Sequence, residues 1–154
     1  MSWLTNFVRP KLRALVRKTE VPDNLWDTCP ACNKMIFHRD LEANQRVCPH
    51  CGHHMRLAAK RRLETLFDDG AYARIELPRV PQDPLKFRDQ KKYVDRLKAA
   101  REKTGEQDAI LVAHGRMGGH SAVVAVFDFD FQGGSMGLAV GEGLVAAAKL
   151  AVLQ

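Results

Sequence analysis

The sequence reads CPAC at residues 29–32 and CPHCG at residues 48–52, and these two stretches contain all four cysteines of the 154-residue chain. Fifteen residues separate the pairs, and two residues separate the cysteines within each pair. A two-residue gap lets both thiolates of a tight turn face one ion. Two such turns supply the tetrahedral four-sulphur shell that zinc accepts in structural sites. The spacing therefore predicts a zinc ribbon with the ligands Cys29, Cys32, Cys48 and Cys51.

Other roles for these cysteines fit the sequence less well. Two disulfides need an oxidising compartment, and the chain shows no secretory signal. A thioredoxin-like pair needs one CxxC beside a βαβ pattern, not two pairs around a short segment. Histidines at positions 38, 50, 53 and 54 could replace a thiolate, but we expect four well-spaced cysteines to exclude them. A closed four-cysteine shell has no open position, so the predicted zinc stabilises the fold and does not catalyse.

Positive charge is concentrated in the N-terminal part of the chain. Residues 1–62 carry 12 Lys/Arg and 5 Asp/Glu, a net charge of +7, whereas residues 63–154 carry 12 and 13, a net charge of −1. Such an excess favours an anionic partner, which could be a nucleic acid, a phosphorylated ligand or an acidic protein face. A solvated basic surface has the same composition, so charge alone does not choose between these interpretations.

Two segments, residues 1–18 and residues 138–153, indicate where in the cell the protein is located. Residues 1–18 are basic, contain no acid and are interrupted by Pro10, so we expect residues 1–20 to form an N-terminal arm that docks on the protein or a partner. Residues 138–153 are too few for a membrane span and include Glu142 and Lys149. The sequence therefore predicts no membrane association and a reducing, cytoplasmic location.

Composition divides the rest of the chain into three further segments. Residues 21–56 form the predicted ribbon, with a short antiparallel hairpin over residues 34–47 and candidate core residues Met35, Phe37, Leu41 and Val47. Residues 57–84 are predicted to be a helix and a proline-rich linker, because prolines stand at positions 78, 81 and 84. Residues 85–154 are predicted to begin a second domain of mixed helix and strand.

The second domain shows a glycine-rich stretch between a strand and a helix. Residues 122–127 are almost continuously apolar, which is typical of a strand buried on both faces. Residues 132–137 then read QGGSMG, and a helix is predicted from Leu138 onward. Backbone N–H groups of such a loop and the helix N-terminus favour an anion or a developing oxyanion. A close-packed turn would use the same glycines, and neither a dinucleotide-binding nor a Walker fingerprint is present.

Several short motifs together resemble one known family. The sequence resembles the β subunit of the bacterial and plastid acetyl-CoA carboxylase carboxyltransferase. The resemblance covers almost the whole chain, and the residues that carry it are LW at 25–26, CPAC at 29–32, VCPHCGHHMR at 47–56, DPLKFRD at 83–89, KKY at 91–93, DRL at 95–97, KTGE at 103–106 and FQGGSMG at 131–137. These motifs are specific in combination, although each alone is not.

The resemblance implies a fold class and a function. It implies an α+β protein in which a small four-cysteine zinc ribbon precedes the N-terminal part of a crotonase-like α/β domain, here over residues 85–154. With a carboxyltransferase α subunit, in an α2β2 assembly, family members move a carboxyl group from carboxybiotin on the biotin carboxyl carrier protein to acetyl-CoA. The product is malonyl-CoA for fatty acid synthesis. The expected cofactors are structural Zn²⁺ in this chain and biotin on the carrier.

The same resemblance suggests where substrate binds. Crotonase-like domains stabilise a thioester enolate with backbone N–H groups from glycine-rich turns. The resemblance therefore implies that acetyl-CoA contacts the loop formed by Gly133, Gly134, Ser135, Met136 and Gly137. The family's domain continues past Gln154, so we expect this chain to be an N-terminal part that is inactive alone, and we assign no catalytic residue.

Two other functions remain open at this stage. The paired CxxC motifs and the charge of residues 1–62 are also typical of a nucleic-acid-binding zinc ribbon. A purely structural interaction module would have the same motifs. A salt-dependent affinity for nucleic acid would favour the first alternative, whereas acetyl-CoA binding that requires an α subunit would favour the carboxyltransferase.

Overall fold

The computed structural model describes residues 25–154, so the predicted arm at residues 1–20 lies outside the described residues. Contacts divide the chain into two compact units, with the boundary between Met55 and Arg56. Each unit has its own small core. Within residues 25–154, no helix has the length and apolar character needed to cross a membrane.

The first unit is built around one short antiparallel strand pair. Strand β1 (Trp26–Thr28) pairs with β2 (Met35–Phe37), and helix α1 (His38–Ala43) follows directly. Trp26 lies opposite Phe37, and their rings meet edge to face at 5.4 Å between centroids. The core of this unit consists of two apolar side chains and two of the cysteines, namely Ile36, Leu41, Cys29 and Cys48.

The hairpin predicted over residues 34–47 is wrong. The partner of β2 is β1, which precedes the first cysteine pair, and the chain after Phe37 turns into α1. The sequence HRDLEA is rich in helix formers, and Leu41 is the residue of this helix that enters the core. Because side chains alternate along a strand, burial of Ile36 directs Met35 outward, and Met35 is 61% exposed. Leu41 is buried, as expected.

The second unit, residues 56–154, combines helices with a three-stranded antiparallel sheet. Its elements are α2 (Ala59–Leu66), β3 (Tyr72–Arg74), α3 (Tyr93–Thr104), β4 (Ile110–Met117), β5 (His120–Phe127) and α4 (Leu138–Leu153). Short 3₁₀ turns occupy Asp68–Gly70 and Gln132–Gly134. The strand order is β3-β4-β5, and β4 pairs with β5 from Ile110 opposite Phe127 to Met117 opposite His120.

Strand β4 is the centre of this unit, because the side chains on its two faces pack into two separate hydrophobic clusters. Ile110 and Val112 face a cluster that contains residues of α3 and α4 and also Phe131. Leu111 and Ala113 face the cluster formed by Leu63 of α2 and by Phe67. The prediction that residues 122–127 are buried on both faces is wrong: β5 lies at the edge of the sheet and is half-buried. The strand buried on both faces is β4.

Residues 57–84 pack within this second unit. Helix α2 buries Ala59 and Leu63, and β3 pairs with β4 so that Tyr72 lies opposite Gly115. The approach is close, since a Cβ added to Gly115 would lie 2.8 Å from Cδ1 of Phe67. The proline-rich residues that follow β3 connect it to α3 inside the same unit.

Asp68 links the first 3₁₀ turn to the β4–β5 hairpin. Its two carboxylate oxygens accept the backbone N–H groups of Gly118 and Gly119, each at 2.8 Å. The N–H of Gly119, followed by that of Gly118, lowers the pKa of Asp68 and outweighs the opposing effect of burial, and the charge of Arg116 adds to the lowering. The hairpin turn is therefore held by a charged acceptor.

The carboxylate of Asp68 should make the stability of the second unit depend on pH in a defined direction. Because the folded-state pKa of Asp68 is lowered, its stabilising contribution is present above the unfolded pKa of about 3.9 and is lost as pH falls through the folded pKa. We expect Asp68→Asn to be less stable than the original chain at pH 7, with a difference that shrinks at acidic pH. Urea unfolding at pH 7 and pH 3 measures this, and a pH-independent difference would contradict the role of the charge.

Candidate metal centre and substrate cavity

The two cysteine pairs of the first unit adopt the same backbone turn. In each turn, the N–H of the first cysteine donates to the carbonyl five residues later: Cys29 to Lys34 at 3.0 Å and Cys48 to His53 at 2.8 Å. The residue four positions after each first cysteine is Asn33 in one turn and Gly52 in the other. Its backbone N–H donates to the carbonyl of that cysteine, and its φ is positive. A left-handed residue at this position favours glycine or asparagine. The local sequence thus explains both turns.

The turns bring all four sulphur atoms together. The four Sγ atoms lie within 4.8 Å of one another, with Cys29–Cys51 at 3.7 Å and Cys32–Cys48 at 3.8 Å. A tetrahedral zinc site with Zn–S bonds of about 2.3 Å has edges of about 3.8 Å between sulphurs. The spacing and the soft donor set therefore fit Zn²⁺, and the four cysteines are positioned to bind a zinc ion. The predicted ligand residues are the ones that the structure assembles.

The environment of the thiols differs across the cluster. Cys29 and Cys48 are buried, whereas Cys51 is exposed. Burial raises the pKa of the Cys29 thiol, but backbone N–H groups of Cys32 and Ala31 outweigh it and bring the pKa down to about 6. The backbone N–H of His53 lowers the pKa of Cys51, but desolvation and the neighbouring sulphurs raise it to about 12. A bound zinc ion deprotonates all four thiols.

The neighbouring histidines stand apart from this cluster. Nδ1 of His38 contacts Oδ2 of Asp27 at 2.7 Å, and the histidines at positions 50, 53 and 54 are exposed. Within residues 25–154, the four cysteines are the one group of three or more potential ligands close enough to hold an ion. This agrees with a four-cysteine shell.

In the second unit, the glycine-rich loop begins with a left-handed turn. Gln132, Gly133 and Gly134 have φ values of 48°, 71° and 73°. Only glycine adopts this left-handed region without strain, so the backbone conformation favours glycine at positions 133 and 134. Gly134 donates its N–H to the carbonyl of Phe131 at 2.9 Å, which closes the turn. The positive φ of both residues, and not close packing, accounts for these two glycines, because a Cβ added to Gly133 would meet no atom within 4 Å and one added to Gly134 would lie 3.7 Å from Cα of Phe129.

The later part of the loop lines a cavity of about 1100 Å³. Ser135 and Gly137 lie on its wall, and Gly137 is the N-cap of α4, where no side chain caps the helix. Gly133, Gly134 and Met136 do not line it, and Met136 is 79% exposed. Two of the five proposed substrate-binding residues therefore share a cavity.

Other residues line this cavity that the sequence alone does not identify as cavity residues. Arg79 comes from the proline-rich segment, and Tyr93 and Arg101 come from α3. Burial, together with the charges of Asp108 and Asp83, raises the pKa of Tyr93. The motifs at residues 83–89 and 91–93 are the signal that could have pointed to this region, but they do not reveal which side chains face one cavity.

Comparison with known proteins gives the same family as the motifs. Residues 26–51 match the model of the acetyl-CoA carboxylase zinc finger domain. The whole chain is 66% identical to the acetyl-coenzyme A carboxylase carboxyl transferase subunit beta of Granulibacter bethesdensis, of which it covers 50%. It is 56% and 55% identical to the proteins of the same name in Gluconacetobacter diazotrophicus and Gluconobacter oxydans, of which it covers 51% and 53%. The chain spans about half the length of the curated relatives it matches, and the resemblance predicted from the sequence is confirmed.

Proposed function

We propose that this chain, which is similar over its whole length to the N-terminal half of acetyl-CoA carboxylase carboxyl transferase β subunits, acts in that reaction. The protein that carries it would move a carboxyl group from carboxybiotin to acetyl-CoA and form malonyl-CoA for fatty acid synthesis. The observation that carries the proposal is the 66% identity over all 154 residues. A crotonase-like fold for the domain that includes residues 85–154 is part of the same proposal.

The proposal also names partners and a location. We infer that the protein acts with a carboxyltransferase α subunit in an α2β2 assembly and with a biotinylated carrier protein. Biotin would belong to the carrier, and zinc in the ribbon would hold residues 25–55 in shape without taking part in the transfer. A reducing cytoplasm suits the free thiols of the ribbon.

The Gly133–Gly137 loop is proposed to contact the thioester of acetyl-CoA. Support comes from Ser135 and Gly137, which line the cavity, and from the uncapped N-terminus of α4 at Gly137. The first N–H groups of a helix have no partner within the helix, and the helix dipole favours negative charge there. An enolate oxygen at this end would therefore be stabilised.

Gly137 allows this proposal to be tested without straining the backbone. Gly134 has a φ of +73°, so a larger residue there would disturb the turn itself, whereas Gly137 has a φ of −85° and a Cβ added to it would meet no atom within 4 Å. We expect Gly137→Ala to raise the KM for acetyl-CoA while thermal unfolding changes little, because the added methyl group would face the ligand. Gly141→Ala, also in open space but outside the cavity wall, is the matched control. Unchanged kinetics in Gly137→Ala would limit the loop to a packing role.

Nucleic-acid binding through the ribbon is the second candidate, and the charge distribution weakens it. Residues 25–55 contain three Lys/Arg and three Asp/Glu, and one zinc ion with four thiolates adds a charge of −2. The basic excess instead lies in residues 1–24 and in residues 56–62, which carry four Lys/Arg and no acid. A salt-dependent affinity for nucleic acid that survives removal of the basic residues at 56–62 would point to the N-terminal residues instead.

A complementation experiment tests the proposed function in cells. The natural gene that encodes this sequence is expressed in a bacterium whose own carboxyltransferase β subunit has been depleted. We expect malonyl-CoA levels and growth to recover. Failure to recover, with the protein present and the host α subunit intact, would contradict the proposal.

A further inference from the structure

We propose that Cys51 is an oxidative modification site, at which a peroxide attacks the zinc-loaded ribbon and causes release of the metal. The site follows from the four cysteines of residues 25–55 and not from carboxyl transfer, so it goes beyond the proposed function. It gives unequal roles to cysteines that bind one ion, because Cys51 reacts first and Cys29 then reacts with the oxidised sulphur.

The two cysteine turns share their backbone hydrogen bonds but differ in exposure. The first cysteine of each pair is buried, with Cys29 0% and Cys48 1% exposed. The second cysteines differ, because Cys32 is half-buried and packs against the core of the ribbon, whereas Cys51 is exposed. An oxidant must reach the sulphur, so the susceptibility of a thiolate rises with its exposure. Cys51 is therefore the ligand that an oxidant in solvent reaches first.

The chain around Cys51 leaves space for an oxidant. Residues 49–54 are all exposed, and a Cβ added to Gly52 would meet no atom within 4 Å. The turn itself is hydrogen-bonded, since the N–H of Gly52 donates to the carbonyl of Cys48 at 2.9 Å and the N–H of Cys48 donates to the carbonyl of His53 at 2.8 Å. The exposure of Cys51 is thus a property of the folded turn and does not require the ribbon to open.

In the zinc-loaded ribbon, Cys51 carries the nucleophile that a peroxide needs. A thiolate, and not a thiol, is the reactive form, and a bound zinc ion holds its cysteine ligands deprotonated. The Cys51 thiolate attacks one oxygen of hydrogen peroxide, the O–O bond breaks, and hydroxide leaves while the sulphur becomes a sulfenic acid. The sulphur loses two electrons and the peroxide gains them. The oxidised sulphur no longer supplies a thiolate to the metal.

Cys29 is placed to complete the oxidation. Its Sγ lies 3.7 Å from that of Cys51, and a thiolate condenses with a sulfenic acid to form a disulfide. The Cys29 thiolate attacks the Cys51 sulphur, the S–O bond breaks, and a second hydroxide leaves. Two thiolates and one hydrogen peroxide thus give one disulfide and two hydroxides, which take protons from solvent to become water. Cys32 and Cys48 alone do not form a four-sulphur shell, so the ion is released.

Treatment of the zinc-loaded chain with hydrogen peroxide tests the site. A chromogenic chelator follows zinc release, and dimedone, which labels sulfenic acids, marks the first oxidised cysteine for peptide mass spectrometry. We expect the earliest label on Cys51, followed by a disulfide between Cys29 and Cys51 and by zinc release. A thiol reductant and added zinc should then restore the amide protection of both turns.

Two variants separate Cys51 from the other ligands. Cys51→His removes the thiol but keeps a zinc ligand, because zinc accepts three cysteines and one histidine. We expect this variant to bind zinc and to release it several-fold more slowly under peroxide. Cys32→His makes the same exchange at the equivalent position of the other turn. It is the matched control, and it should release zinc as fast as the original chain does.

Each contrary result would overturn the proposal. A first dimedone label on Cys29, Cys32 or Cys48 would do so, and so would equal rates of zinc release from Cys51→His and the original chain. Zinc retention by the original chain under peroxide would contradict it as well. If Cys51→His does not bind zinc, the order of labelling in the original chain decides by itself. These readouts do not involve carboxyl transfer, so the proposed function is tested separately.

Discussion

Removal of zinc is expected to unfold residues 25–55 while the sheet of residues 56–154 stays folded. Within residues 25–55, the buried core consists of Ile36, Leu41 and two of the cysteines, and small domains of this kind need a metal or disulfides to fold. Structural zinc in comparable peptides contributes about 10–16 kcal/mol of apparent binding free energy at neutral pH. The second unit has its own clusters on both faces of β4, so it does not depend on the metal.

Hydrogen exchange with and without a chelator measures this prediction. The amides of Cys29 and Cys48, which are hydrogen-bonded in the two turns, should lose protection, whereas amides of β4 should keep it. Cys48→Ser should reproduce the effect of the chelator, and His50→Ala should not, because His50 is exposed and outside the cluster. Fewer than one zinc ion per chain, or full protection of the turns in Cys29→Ala, would contradict the metal site.

Truncation of Phe131 should cause the largest loss of stability in the second unit. Its side chain is 2% exposed and packs in the cluster that contains Ile110, Val112 and Val140. Phe→Ala changes in a core cost about 3–5 kcal/mol, because buried contacts are lost and a cavity remains. The backbone carbonyl of Phe131 accepts the N–H of Gly134, so loss of the anchoring side chain should also loosen the loop that leads to the cavity.

Phe129 provides a matched control two residues away. It is 57% exposed, and the guanidinium carbon of Arg56 lies 4.2 Å from the centre of its ring. We expect Phe129→Ala to cost roughly 1 kcal/mol or less, as for an exposed cation–π contact. Urea unfolding followed by a signal from the second unit compares the two variants. Similar losses for both would contradict the assignment of Phe131 to the core.

The metal site could be predicted from the sequence because its geometry is local. Two residues between cysteines fix each turn, and the positive φ required at Asn33 and Gly52 matches the residues present. The start of α4 was predictable for a similar reason, since the glycine-rich stretch ends where Leu138 begins a largely apolar run. Both features depend on neighbours in the chain.

Features that depend on distant partners were predicted less well. The sequence predicts that the segment after Cys32 pairs with itself, but β2 pairs with β1, and no local pattern distinguishes these two pairings. The apolar residues 122–127 suggested a central strand, yet only the strand order shows that β5 lies at an edge. The cavity combines three segments separated in sequence, so its lining could not be derived from spacing.

Carboxyl transfer with purified components tests the central claim most directly. The gene product that carries this sequence, loaded with zinc, is mixed with a carboxyltransferase α subunit, a carrier protein bearing labelled carboxybiotin, and acetyl-CoA. The proposed function predicts labelled malonyl-CoA that forms only when all components are present. No labelled product, with an α subunit and carrier that are active alongside a known β subunit, would contradict it.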